Sequence, residues 1–492
     1  MGRYMYRPMH TPFFPSWRSR LAALGRRTAR AVRETTLAQL QEYLRDFLPA
    51  PLLTSADEGP NSRERTFSLR LTCECFLWQV LKPKTSCREV VRHVQALFRA
   101  HGKGLIDEGD SGYVQARQRL PRERLEQALS ATAQAADRRA GPGGQLQGRP
   151  VKVVDGSTTQ LADTLKNQER FPQPTRQKRG CGFPVMKFAT LFSLTSGAIL
   201  NVLIGSLLHH DLRLLRGLWD QLKKGDILLG DRAYGEYTTL ASLPQQGVDV
   251  VARLHARRKV DFRKARRLGK HDGLFVWTKG YQQSEILSPS EWVLLPAQIT
   301  VRIIRFSTTI RGFRSRRITL VTTLLDPKLF SAQDLIGLYA RRWRLELCLR
   351  DLKTTLGMEE LRCKTPDIAE KELLAYLVAH NLIRCVMAEA VARYAVDLER
   401  VSFKGSVDGL RQYSAEMAKA RNQKMRRQLW EDLLLNLARD LVRYRPNRVE
   451  PRAVKRRPKP YPLLNQPRHQ YREILHRSRY RRQNSAKTNE LI

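Results

Sequence analysis

The chain has 492 residues, of which 42% are hydrophobic, enough for about three domains with a buried core and too apolar for wholesale disorder. Its formal net charge of +41 is spread along the sequence and points to a polyanionic partner, foremost nucleic acid. A membrane surface is disfavoured by the lack of a strongly amphipathic basic helix with an aromatic face, and seven scattered cysteines without a CxxC pair indicate neither a disulfide framework nor a zinc site, as suits a reducing cytosol.

Residues 1–30 are basic and aromatic, with no apolar run of signal-peptide length, and are expected to be poorly ordered. Residues 31–138 read as an all-helical domain. Leu37, Leu40, Tyr43, Leu44 and Phe47 recur at helical spacing, and 66–81, 87–99 and 113–135 repeat the pattern. Ala140-Gly-Pro-Gly-Gly-Gln-Leu-Gln-Gly-Arg-Pro150 reads as a linker over 139–150.

The texture then changes. Val151–Val154 is a short β-rich run ending at Asp155. Residues 187–194 and 198–205 form a hairpin about Ser196-Gly197, which also explains the uncharged stretch 191–208 without a membrane span. A helix is expected over 211–222, a strand over 227–229 ending at Asp231, a helix over 236–246 and a strand over 248–254. The order β, β-β, α, β, α, β matches a ribonuclease H-like α/β core within a catalytic domain spanning 151–395. Residues 255 to about 330 break the rhythm as a mostly β insertion, basic at its start from Arg257 to Lys270. A long helix over 331–356 follows, with Ser331 as N-cap, Asp334 three residues on and Gly357 just beyond the end. Further helices are expected over 367–395 and 408–443, the C-terminal helical region being 396–444. The tail 445–492 is rich in Arg, Lys and Pro and is expected to stay extended or disordered until it binds.

Asp155 and Asp231 each follow a buried strand, where sites form at a sheet edge. Taken singly, each reads more readily as a turn or cap residue. Tyr339, Arg342, Glu346 and Lys353 fall within roughly 60° of arc on an ideal helix, with Trp343 and Arg350 beside them. A solvated face laced by Arg342–Glu346 and Glu346–Arg350 pairs would account for the charges, but it has no need of the Tyr and Trp. His209, His210 and Asp211 precede a helix, and Asp211 suits an N-cap. Arg176–Arg179 is either a solvated loop or a contact to the DNA backbone.

The spacing Tyr339-x2-Arg342-x3-Glu346-x6-Lys353 resembles the Tyr-Arg-Glu-Lys signature of DDE transposases from one large group of bacterial insertion sequences, family four of their classification. Other segments resemble the family in the same order. Val153-Val-Asp-Gly-Ser-Thr158 is similar to its first-aspartate segment, and Gly230-Asp-Arg-Ala-Tyr-Gly235 to its second. Asp163-Thr-Leu-Lys-Asn-Gln168, Phe171-Pro-Gln-Pro174, Gly180-Cys-Gly-Phe-Pro184 and Arg452-Ala-Val-Lys-Arg-Arg-Pro-Lys-Pro460 extend the resemblance over about 60–460.

The resemblance implies that Asp155, Asp231 and Glu346 are catalytic and hold two Mg²⁺ (or Mn²⁺) ions, Asp155 bridging them. It implies that Tyr339, Arg342 and Lys353 contact DNA phosphates. Relatives cut through a hairpin in which a flipped base stacks on an aromatic, for which Trp343, Trp277 and Trp292 are candidates. The implied partners are double-stranded transposon ends and target DNA, with a homodimer assembled on DNA, in the bacterial cytoplasm near the nucleoid. A non-catalytic or domesticated DNA-binding relative, a metal-dependent nuclease and a basic RNA-binding structural protein are the competing readings. The last needs no carboxylates so placed, and no RNA-recognition motif is visible.

Overall fold

Alternating burial along residues 149–161 organises the molecule. Val151, Val153 and Leu161 join one apolar cluster while Val154 joins another on the opposite face, as a strand buried on both sides requires. The computed structural model describes residues 47–53, 66–100, 106–208, 214, 216–255, 257–281, 284, 286–307, 317–420, 422–443 and 461–471.

The N-terminal helices are α1 (Leu69–Leu81), α2 (Cys87–Ala100), α3 (Ser111–Arg119) and α4 (Arg122–Ala140). Ser68 caps α1 by accepting from the Leu71 N–H at 3.3 Å. The helical run expected over 113–135 is therefore two helices. Pro121 lacks an N–H and pushes Leu120 out of helical geometry, so the chain breaks there. The glycine-rich segment read as a linker is a turn followed by β1 (Gln145–Leu146), which hairpins onto β2 (Arg149–Leu161). A side chain at Gly144 would sit 2.2 Å from the Thr195 backbone, so this turn is packed in place.

After α5 (Leu165–Arg170) come β3 (Val185–Ser193), β4 (Ile199–Ser206), β5 (Ile227–Gly230), α6 (Tyr237–Gln245) and β6 (Asp249–Arg253). Gly197, at φ +71, turns β3 into β4 where the hairpin was expected. The expected helix over 211–222 falls partly outside the described residues, and Trp219–Gln221 is a 3₁₀ turn. The segment from 255 supplies β7 (Arg266–Gly269), β8 (Asp272–Thr278), α7 (Pro289–Leu294), β9 (Gln298–Ser307) and β10 (Arg317–Thr322). All of these strands join one sheet in the order β4-β3-β2-β5-β6-β10-β9-β8-β7. The buried Arg302 on β9 pairs with Asp272 on β8 and donates to the Phe330 carbonyl, which ties the added strands to the chain that follows.

The helix expected over 331–356 starts and ends as expected. Ser331 and Asp334 form a reciprocal capping box, and Gly357 takes φ +83. It is not continuous. It breaks at Arg342 into α8 (Ala332–Arg341) and α9 (Trp343–Arg350), and a π turn over Asp351–Thr355 closes it. After β11 (Glu360–Leu361), α10 (Pro366–Tyr394) runs through the core. It is long and apolar enough to cross a membrane, yet its most apolar window is 83% buried inside the protein. Asn381 locks α10 to its neighbours, accepting from the Ile199 N–H and donating to the carbonyls of Leu129 and Ile199. The helix expected over 408–443 is two, α11 (Phe403–Lys419) and α12 (Gln423–Arg439), the second capped by Asn422. The expectations for 1–30, for residues 31–46 and for most of the basic tail lie outside the described residues. One piece of the tail, 461–471, is folded against the core and is described below.

Candidate active site

Strand register places the two aspartates. Val151, Lys152 and Val153 of β2 pair in parallel with Ile227, Leu228 and Leu229 of β5, so two further steps set Asp155 level with Asp231. Adjacent strands lie about 4.8 Å apart, so the two residues are neighbours at the point where the strands part. Alternation turns both toward the same face, since Val151, Val153, Ile227 and Leu229 all belong to one cluster. Asp155 does not end its strand, as the sequence suggested. β2 continues to Leu161 against β3, while β5 stops at Gly230 and opens a cleft of about 510 Å³ lined by Asp155, Thr158, Lys187, Asp231 and Tyr234.

Local chemistry holds each carboxylate. Asp231 caps a 3₁₀ turn over Arg232–Tyr234 and accepts from the Ala233 N–H at 2.8 Å. The flanking glycines are steric requirements. A Cβ on Gly230 would lie 2.5 Å from the Tyr234 ring, and one on Gly235 would lie 2.9 Å from the Arg253 carbonyl. Asp155 accepts from the Gly156 N–H at 2.9 Å. Burial pushes its carboxyl up to about 6. The Gly156 N–H and Arg342 work against this, while Asp231 and Glu346 add to it. Glu346 is thus electrostatically felt at Asp155. It is carried by α9, whose Leu345 and Leu349 pack into the cluster on that face of the sheet.

The other signature residues gather here. Arg342 Nη2 donates to Glu346 Oε1 at 2.7 Å, with its guanidinium 5.9 Å from the Tyr339 ring centre. Burial presses the Arg342 pKa down, but Tyr339, the bond to Glu346 and Asp155 outweigh it and hold the charge. Tyr339 is buried, which raises its phenol, opposed by Arg342 and Arg253. Lys353 lies in the π turn. Burial lowers its pKa, and Glu359 and Asp155 oppose that, so its ammonium is within electrostatic reach of Asp155. The stripe therefore survives in space although the continuous helix that predicted it does not.

Of the aromatic candidates, Trp343 is 53% exposed at the head of α9. Trp277 is buried, with Arg258 3.8 Å over its ring, and Trp292 carries Lys279 at 5.4 Å. Trp277 is therefore a core residue and presents no open face to a base. His209, His210 and Asp211 lie outside the described residues. Arg176–Arg179 belongs to a loop held by the C-terminal segment. Leu464 donates its N–H to the Cys181 carbonyl, Gln177 donates to the Tyr461 carbonyl, and Arg468 pairs with Asp163 at 2.7 Å. The Tyr461 hydroxyl meets Thr158 at the cleft at 2.6 Å.

Sequence reasoning missed Arg253. Gly230 pairs with Ala252, so Arg253 at the end of β6 stands level with Asp231, one strand further on. Burial lowers its pKa, and the neighbouring cations Arg232 and Arg342 lower it further, against Tyr339. The only signal was a basic residue closing an apolar strand.

The donor set fits hard divalent cations. All three groups are acceptor-only carboxylates, and among the described residues one oxygen of each carries no hydrogen bond. Among the described residues no three such groups stand close enough to hold an ion as they are, and Glu346 is paired with Arg342.

Comparison with known proteins finds transposases. Residues 146–382 match the family described as Transposase DDE domain. The chain is 26% identical over 349 residues to the transposase InsG for insertion sequence element IS4 of Escherichia coli strain K12, covering 70% of this chain and 76% of that one. It is 36% identical over 64 residues to the transposase for insertion sequence element IS421 of Escherichia coli, 13% of this chain and 17% of the relative. A piggyBac transposase synaptic complex with hairpin DNA aligns over 82% of each chain at 8% identity with a TM-score of 0.39, too low to define a shared fold. Residues 146–382 thus match a transposase DDE domain, and the chain is similar over most of its length to a transposase of a bacterial insertion sequence.

Proposed function

We propose that this chain is a transposase that binds the terminal inverted repeats of its element, cleaves DNA at the element ends and joins them to target DNA by two-metal chemistry at Asp155, Asp231 and Glu346. The observation that carries the reading is the level placement of Asp155 and Asp231 on adjacent parallel strands, with Glu346 coupled to Asp155 from the helix above. The strand order β4-β3-β2-β5-β6, antiparallel then parallel, supports a ribonuclease H-like core.

Asp155, Asp231 and Glu346 would hold two Mg²⁺ or Mn²⁺ ions. When bound, these would activate the attacking oxygen and stabilise the leaving one. The protein's own groups do the rest. Arg342 holds Glu346 until substrate arrives and then turns its guanidinium to a phosphate, a geometry suited to bidentate contact. Lys353 and Arg253 place positive charge on either side of the carboxylates and position the backbone. Tyr339 packs against the same phosphate. Trp343 offers the exposed ring on which an unstacked base can rest. Assembly as a homodimer on DNA, with one active site per end, and residence in the bacterial cytoplasm belong to the same proposal.

The test is cleavage of a labelled duplex carrying the element's terminal repeats with Mg²⁺, comparing wild type with Asp155→Ala. Nicking at the repeat boundary that needs metal and is lost in the variant is the expected result. Binding without cleavage in both proteins would instead favour a DNA-binding relative that has lost its chemistry.

A further inference from the structure

A second charged cavity lies away from the carboxylates, between the N-terminal helices and the start of α10. Its volume is about 480 Å³. Arg117 of α3 forms its deepest charge. The side chain is 7% exposed and lies between the rings of Phe76 and Tyr113, at 5.2 and 5.1 Å. Its hydrogen bonds go to two thiols, Cys87 Sγ at 3.2 Å and Cys363 Sγ at 3.8 Å, and its Nε has no partner. Among the described residues Arg117 makes no ion pair. Burial presses its pKa down, but Cys363, Tyr113, Cys87 and the nearby Glu372 outweigh that and hold the charge, while no carboxylate bonds the guanidinium directly and Nε stays open, so the site keeps a charged donor for an incoming anion.

The surroundings point the same way. Lys84, Arg362 and Lys364 are exposed at the cavity rim, and among the described residues none of them forms an ion pair. Two carboxylates also line it. Glu372 is already engaged, accepting from the N–H groups of Arg362 and Cys363, which leaves Asp110. The N-terminus of α10 opens onto the cavity through Thr365 and Ile368. Thr365 makes no capping hydrogen bond, so first-turn N–H groups of a 29-residue helix remain for a ligand.

We propose that this cavity is a phosphate-binding site distinct from the catalytic centre, with Arg117 at its base and Lys84, Arg362 and Lys364 at its mouth. The phosphate belongs either to a DNA backbone or to a free phosphorylated molecule; the chemistry of recognition is the same. Since the readout is phosphate binding, the outcome is independent of the catalytic assignment.

Thermal unfolding of the full chain in sodium phosphate, against sodium chloride at equal ionic strength, tests this in wild type, Arg117→Met and the double variant Lys84→Ala/Lys364→Ala. Phosphate should raise the wild-type midpoint beyond the chloride effect. Arg117→Met should keep its midpoint in chloride, since replacing an unpaired buried charge by an apolar side chain is tolerated, and should weaken phosphate binding about tenfold or more. The lysine variant, altered only at the rim, should fold as wild type and weaken binding several-fold, and it decides the matter if Arg117→Met does not fold. No phosphate response in wild type, or an undiminished response in the variants that fold, overturns the proposal. Titration of a labelled duplex then separates the sources. A shallower dependence of DNA affinity on salt in the lysine variant assigns the site to backbone phosphate. An unchanged DNA affinity and salt dependence assigns it to a free phosphorylated molecule.

Discussion

Asp155, Asp231 and Glu346 each commit one oxygen to a nearby donor, Gly156, Ala233 and Arg342 in turn. Glu346 is the one whose donor is a side chain and not a backbone N–H, and at 40% exposure it has room to turn. Glu346→Gln keeps the shape and the bond from Arg342 but removes the charge. Single-turnover cleavage of repeat-bearing DNA should fall by at least about a hundredfold, more than loss of an outer-shell partner costs, while end binding in a gel-shift assay stays near wild type. Cleavage at the wild-type rate would remove Glu346 from the site. A different residue governs acid stability. His380 is fully buried on α10 against Phe403, and burial, aided by Arg384, pushes its pKa down to about 3. The folded state keeps it neutral, whereas the unfolded chain takes up a proton below about 6.5. Its contribution is therefore present above that pH and lost progressively as the pH falls toward 3, a loss of about 2 kcal/mol by pH 5. His380→Leu should narrow the gap in denaturant stability between pH 7.5 and pH 5 by about that amount. An unchanged gap would mean that His380 is not the group responsible.

At the scale of elements, the break at Arg342 and the π turn after Arg350 set the angles at which the signature residues leave the helix. An α-helical register advances about 100° per residue, and a wider turn advances less, so Lys353 is rephased relative to Glu346. The periodicity of a straight helix grouped residues that the broken helix also groups, but at other angles. The C-terminal segment is the second lesson. Its residues 461–471 have the composition of a free tail, yet Leu463 bridges to Gly182 and Arg468 binds Asp163 and the carbonyls of Gly180 and Gly182. Arg468→Ala should loosen the segment by about 1–2 kcal/mol, allowing for partial exposure of the ion pair. Amide exchange at 461–471 should quicken roughly tenfold while α10 stays protected. Equal protection in the variant would show that Arg468 does not hold it.

For the whole molecule, what could be read in the sequence was local or chemical. The charge of +41 named a polyanion, alternating apolar runs marked the strands, and Gly197, Ser331 and Gly357 marked turns and helix ends where the backbone adopts them. The carboxylates were singled out by their order and their resemblance to a known family. Register between distant strands is a different matter. β2 and β5 pair across a long stretch of chain, and only that pairing sets Asp155, Asp231 and Arg253 in one row on one face. Local periodicity carries no information about which residue of one strand lies beside which of another, so the place of Arg253 beside Asp231 was not legible there. The same holds for α4 and the packed turn at Gly144, which read as a separate domain and a linker but share the core of α10 and β4. By itself, then, the sequence determined most of the elements and the candidate residues, because these depend on residue type and short spacing. The tertiary structure alone decided the row of charges, the rephased helix and the anchored tail, because these depend on contacts between residues far apart in the chain.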